Sequence, residues 1–248
     1  GISATSGFSV VFVGAVQAQR LNTRQIQQKY ITIFFTLECL LASIRLTLQK
    51  QFDYNIKLEN KEYFLHKIVE WSVFMKKLLV VVDYQKDFVS GSLGFAEAQQ
   101  LESAICSKIQ EYRESGDEIA FTFDTHGKNY LSTAEGRSLP VSHCIEGTDG
   151  WQLYGKVAAL QHPDDYVFKK GTFGSLQLAD FLKNSNYDSI ELVGVVSNIC
   201  VLSNAVLAKA AKPEAEIIVD ARCTASNDPA MNQKALDVLE GLFIRVLR

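Results

Sequence analysis

From Lys76 onward, short uninterrupted apolar runs alternate with stretches whose apolar positions recur at helical spacing. KKLLVVV from Lys76, EIAFTF from Glu118, YVF at Tyr166 to Phe168, IELVGVV from Ile190, EIIVD from Glu216 and FIRVL from Phe243 have strand length and lack strict apolar-polar alternation. Between them, a helix is expected from Ala96 to about Glu114, ending at Ser115-Gly116, and others over SLQLADFLKN from Ser175, SNICVLSNAVLAKAAK up to Pro213, and PAMNQKALDVLEGL with Pro229 near its start. Strands that are apolar on both sides and separated by helices predict a doubly wound parallel sheet, an α/β fold of three layers, α-β-α.

Residues 1 to 74 break this rhythm, with no regular strand-helix alternation and no methionine before Met75. The chain therefore reads as an N-terminal extension, 1–74, and an α/β domain, 75–248. The extension is expected to be sequence upstream of the true initiator that is not natively translated; a small helical accessory region and a disordered extension are the alternatives. Its apolar stretch ITIFFTLECLLASI from Ile31 is shorter than the about 20 residues of a spanning helix and contains Glu38, so a core or interfacial helix is expected rather than a membrane span.

The 248 residues are 47% hydrophobic and 21% charged, within globular ranges. A formal charge of -3 and a pI near 5.9 leave no basic footprint for nucleic acid and no polybasic patch for a membrane. A small-molecule partner is the expectation, and a homo-oligomer is compatible with it. The five cysteines, Cys39, Cys106, Cys144, Cys200 and Cys223, form no CxxC pair, which favours a reducing, cytoplasmic setting.

Ligands of open parallel sheets bind beyond the carboxyl ends of the strands, and the chemically distinctive residues fall there. Asp83 closes the first strand, where desolvation should raise its proton affinity. Asp124 and His126 follow the second strand, with Glu135 and His143 in the loop beyond; this carboxylate and imidazole set suits a divalent metal, although Asp-x-His alone also occurs in surface turns. Lys170 follows the third strand beside Gly171, and strand alternation turns Lys169 toward solvent. Cys200 opens the helix after the fourth strand, with Ser197 or Asn198 as the expected N-cap. There the helix dipole should lower its pKa, whereas a lone cysteine is more commonly an inert core thiol. Asp87 is expected to be a turn or cap residue.

VVDYQKDF, FDTH, LPVSHCIEGTDGW, FKKGTFGS and GVVSNICV, in this order, resemble the nicotinamidase and isochorismatase-like cysteine hydrolase family over residues 75–248. The resemblance implies a catalytic triad of Asp83, Lys170 and Cys200, a cis peptide between Val195 and Val196, and an oxyanion hole formed by the Val196 and Cys200 N–H groups. It implies a divalent metal, zinc first with iron or manganese as alternatives, on Asp124, His126 and His143. Glu135 is the nearest counterpart of a fourth ligand, and Phe88 matches an aromatic that packs on the substrate ring. The implied reaction is amide hydrolysis of nicotinamide, or a similar small carboxamide, through a Cys thioester, with a place in NAD salvage. Cleavage of a vinyl ether such as isochorismate, hydrolysis of a carbamoyl compound, and a non-catalytic binding module are the rival readings. Leu139 and Pro140 stand where nicotinamidases often carry a second aromatic.

Overall fold

The computed structural model describes residues 75–248, so the expectations for the extension and its apolar stretch lie outside the described residues. Each apolar run becomes a strand of one sheet: β1 (Lys77–Val82), β2 (Glu118–Asp124), β3 (Tyr166–Lys170), β4 (Ser189–Val195), β5 (Glu216–Ala225) and β6 (Arg245–Leu247). All neighbours are parallel, in the order β3-β2-β1-β4-β5-β6. Strand order reverses between β1 and β4, which makes the gap beyond their carboxyl ends the topological switch point.

Eight helices connect the described strands: α1 (Lys86–Val89), α2 (Ala96–Gln100), α3 (Glu102–Ser115), α4 (Ala134–Ser138), α5 (Gly155–Leu160), α6 (Leu176–Lys183), α7 (Leu202–Ala211) and α8 (Pro229–Gly241). The pleat of β1 sends Leu79 and Val81 into one layer with Ile105, Ile109 and Tyr112 of α3. Leu78, Val80 and Val82 enter the other, with Leu178, Leu182, Ala205 and Leu236 of α6, α7 and α8. Burial on both faces is why these strands read as continuous apolar runs, each such side chain contributing about 1.5–3 kcal/mol. Among the described residues, no helix is long and apolar enough to cross a membrane.

The expected helix from Ala96 is two, joined at Leu101 and ended by Gly116 in the left-handed conformation that glycine adopts freely. The short helices α1, α4 and α5 sit in segments for which the sequence predicted no element, because one or two turns carry no measurable periodicity. The last helix instead starts where expected, with Pro229 in its first turn and Asp228 capping the Ala230 and Met231 N–H groups. Strand β5 runs past EIIVD: its register against β4 slips between Leu192↔Val219 and Gly194↔Thr224, so residues 220–223 bulge out of the ladder.

One glycine fixes the switch point. Gly194 pairs with Val82 at φ 109°, and a Cβ there would lie 2.1 Å from the Val82 carbonyl oxygen. Only a residue without a side chain lets β4 run this close to β1 immediately before the site. The following Val195-Val196 peptide is cis, at the position the family resemblance implies.

Candidate active site and metal centre

Four strand ends deliver the predicted residues to one place. Asp83 leaves β1 with φ 47° and is fully buried. Its Oδ1 accepts the Thr122 hydroxyl of β2 at 2.7 Å, and its Oδ2 lies 2.6 Å from Lys170 Nζ at the end of β3. That ammonium, its side chain 2% exposed, also lies 3.4 Å from Asp124 Oδ1, donates to the Thr172 carbonyl at 3.0 Å, and stands 3.6 Å from Cys200 Sγ. Strand alternation separates the two lysines as expected, since Lys169 points out to pair with Glu146 at 2.6 Å.

The electrostatics follow from burial first and neighbours second. Burial raises the Asp83 pKa, against the pull of Lys170. Burial would lower that of Lys170, but Asp83, Cys200 and Asp124 outweigh it and raise it, so this side chain stays an ammonium. The expectation of a lowered Cys200 pKa is corrected: burial raises it well above the ordinary thiol value and the Asp83 charge adds to this, with Lys170 opposing only in part. Burial therefore favours the neutral thiol at Cys200, with the Asp83 carboxyl group beside it. The expected cap is corrected too. Ser197–Val201 forms a single wide turn of π type before α7, and Val196, not Ser197 or Asn198, is its N-cap. A helix end wound this way presents Cys200 toward Lys170 while Asn204 donates to the Cys200 carbonyl at 2.8 Å.

Beside this cluster, Asp124, His126, Glu135 and His143 converge, with one ligand atom from each within 4.8 Å of all the others. His126 Nε2 lies 2.9 Å from Asp124 Oδ2 and 3.7 Å from Glu135 Oε1; His143 Nε2 lies 3.3 Å and 3.8 Å from the same atoms. His143 Nδ1 faces the Val141 carbonyl at 2.8 Å, which assigns its proton to Nδ1 and leaves Nε2 free to ligate. The loop reaches the strand end through pairing of His126 with Ile145, His126 N–H donating to Cys144 O and Glu146 N–H to His126 O. Burial would raise the Asp124 pKa, but both histidines and Lys170 hold it well below the carboxylate range. Asp83 and Asp124 face the single Lys170 ammonium and Glu135 faces the two imidazoles, so with ionised carboxylates and neutral imidazoles the joined clusters carry a formal charge of -2. Two imidazoles, two carboxylates and that charge fit a divalent cation. Phe88, on α1 and buried, lies with its ring 5.4 Å from that of His143.

Several residues of the site carried no readable signal in the sequence. Gln85 is fully buried and clamps Asp124 from both sides: its Nε2 donates to the Asp124 and Trp151 carbonyls at 2.9 and 2.8 Å, and its Oε1 accepts the Asp124 N–H at 2.8 Å. Thr122 is one polar residue in an apolar strand. Asp87, expected in a turn, also accepts the Cys144 N–H at 2.8 Å and so ties α1 to the His143 loop.

The chain matches the isochorismatase domain over residues 77–248 and belongs to that family. It is 33% identical over 143 residues to an uncharacterized isochorismatase family protein, PncA, of Bacillus subtilis (strain 168), an alignment covering 53% of this chain and 78% of that protein. To the nicotinamidase of Saccharomyces cerevisiae it is 25% identical over 216 residues, covering 69% and 99% of the two chains. The crystal structure of the nicotinamidase/pyrazinamidase PncA from Bacillus subtilis superposes with a TM-score of 0.64 at 28% identity, over 70% of this chain and all of that one.

Proposed function

We propose that the domain is a cysteine amidohydrolase of the nicotinamidase type, hydrolysing nicotinamide or a similar small carboxamide to the acid and ammonia. The observation that carries this reading is Lys170 Nζ held between Asp83 and Asp124 and 3.6 Å from Cys200 Sγ, next to the four-ligand cluster. The nicotinamidase names of several relatives support it.

Asp83 accepts the Cys200 proton as Sγ attacks the carboxamide carbon, so no free thiolate need accumulate. The Val196 and Cys200 N–H groups stabilise the oxyanion. Asp83 returns the proton to the amine, ammonia leaves, and the acyl group remains on Cys200 as a thioester. A water then gives its proton to Asp83 as its oxygen attacks the thioester; the expelled thiolate recovers that proton and the acid departs. Lys170 stabilises the anionic form of each partner in turn. Asp124, His126, Glu135 and His143 would hold a divalent ion, zinc foremost, which supplies Lewis-acid binding to a ring nitrogen. Phe88 would stack on the ring.

Leu139, 38% exposed and followed by Pro140, favours a second reading in which one wall of the pocket is open to a different small amide or carbamoyl compound. Ammonia release from nicotinamide, pyrazinamide and aliphatic carboxamides, set against isochorismate cleavage, separates these readings. Nicotinamide and pyrazinamide are expected to lead; turnover confined to isochorismate contradicts the proposal. A cytoplasmic site of action goes with this reading.

A further inference from the structure

Tyr130 is fully buried, yet it takes no part in the chemistry above, and its contacts reach three of the four ligand-bearing segments. Its ring lies 4.6 Å from the His126 ring and 4.8 Å from the His143 ring, tilted by 57° and 73°, while the two imidazoles lie 4.9 Å apart at 76°. The three rings thus form a closed triangle of mutually tilted faces, the arrangement that aromatic quadrupoles favour. The hydroxyl donates to the Leu139 carbonyl at 3.0 Å, at the start of the strand of loop that leads to Val141 and His143. The Tyr130 carbonyl accepts the Thr133 hydroxyl at 2.7 Å and the Thr133 N–H at 2.9 Å. Thr133 is the N-cap of α4, the helix that carries Glu135. That helix closes on Tyr130 through Gly136, where a Cβ would come within 2.1 Å of the Tyr130 carbonyl oxygen.

We propose that Tyr130 is a positioning residue of the metal centre, whose ring sets the planes of both imidazoles so that their Nε2 atoms face a common point before any ion binds. The inference rests on the reading of Asp124, His126, Glu135 and His143 as a metal site. Hydrogen bonding fixes an imidazole through its second nitrogen, and for His143 the Val141 carbonyl does this. A hydrogen bond leaves rotation about its own axis free, and the tyrosine face removes that freedom for both histidines at once. The hydroxyl has the lesser part of holding the Leu139 end of the loop.

The test is zinc affinity of the full chain, stripped with a chelator and titrated against a chromophoric competitor, together with the visible spectrum of the cobalt-substituted protein. Tyr130→Leu is expected to weaken zinc by about 10–100-fold, the usual effect of removing a residue that orients metal ligands, and to shift the cobalt bands. Tyr130→Phe restores the ring alone and is expected to stay within a few-fold of wild type with an unchanged cobalt spectrum. Equal affinity and identical spectra for wild type and a folded Tyr130→Leu overturn the brace and leave the metal site standing. Should the leucine variant not fold, Tyr130→Phe decides by itself: a loss as large as about tenfold with altered cobalt bands overturns a role for the ring. Failure of the wild type to bind zinc overturns the metal reading and the brace with it.

Discussion

Among the described residues, two lysines bridge pairs of buried carboxylates, Lys170 buried with them and Lys108 partly exposed, and their surroundings differ. Lys108 Nζ on α3 lies 3.0 Å from Glu191 Oε1 of β4 and 3.3 Å from Asp220 Oδ2 of β5; Lys170 Nζ lies 2.6 Å from Asp83 and 3.4 Å from Asp124. Around Lys108 the remaining valences are closed. Tyr112 donates to Glu191 at 2.7 Å, and Arg222 gives Asp220 its backbone N–H and two guanidinium contacts, at 3.0, 2.9 and 2.6 Å. Two cations match the two buried carboxylates there, with the exposed Glu111 3.9 Å from Lys108 Nζ at the rim. Around Lys170 the account stays open: the carboxylates outnumber the ammonium, a thiol is the next neighbour, and two imidazoles face the surplus charge. The same residue types give a structural tie in one place and the proposed reactive centre in the other, according to whether every group has a committed partner.

Mutation of the two lysines should separate those roles most sharply. Lys170→Met is expected to lower kcat/KM for the amide by about 10²–10³-fold, the range for loss of one electrostatic stabiliser. Lys108→Met should leave kcat/KM within a few-fold while destabilising the fold by about 1–3 kcal/mol, since Glu191 and Asp220 lose one charged partner each but keep Tyr112 and Arg222. Steady-state kinetics beside denaturant unfolding reads both, and a large rate loss in Lys108→Met would break the distinction.

Metal removal probes the open cluster alone. Dialysis against chelator should abolish most amide hydrolysis, with recovery on stoichiometric zinc; full activity without metal would detach the ligand set from function.

The clusters should also respond to pH with opposite signs. Burial raises the Asp83 pKa above its ordinary 3.8, so whatever stability its proton confers is fully present below that value and is lost as pH rises through the raised pKa. Burial would raise Asp220 likewise, but Arg222 and Lys108 outweigh it and lower its pKa from 3.8, so its contribution is present above that value and is lost as pH falls through the lowered one. Unfolding free energies should therefore show wild type losing ground to Asp83→Asn as pH rises, and losing its lead over Asp220→Asn as pH falls below about 3.8. In the proposed mechanism the base role of Asp83 predicts an acid limb of kcat/KM above the ordinary carboxylate value as well. The smallest effect belongs to Tyr112→Phe, about 1 kcal/mol of stability with no change in rate.

The architecture was legible because runs buried on both faces have a plain signature, and the reactive residues because each terminates such a run. Asp83, Asp124, Lys170 and Cys200 could be set on one edge by reading strand ends. The closed cluster was not legible: Glu191 and Asp220 are single polar residues inside apolar strands, and their partner Lys108 lies on a helix far away in sequence. Gln85 and Tyr130 escaped for the same reason, since a polar loop residue and a lone tyrosine acquire meaning only from what folds against them. The state of Cys200 was misread because a helix terminus is visible in sequence, whereas full burial beside a carboxylate is a property of the assembled sheet and the larger influence on the thiol.

The central claim is tested most directly by measuring ammonia release from nicotinamide by the metal-loaded wild type and by Cys200→Ala. Wild-type turnover with a loss of at least about 10⁴-fold in the alanine variant, its fold and bound zinc intact, is the expected result. Equal rates in the two proteins would contradict a thioester at Cys200.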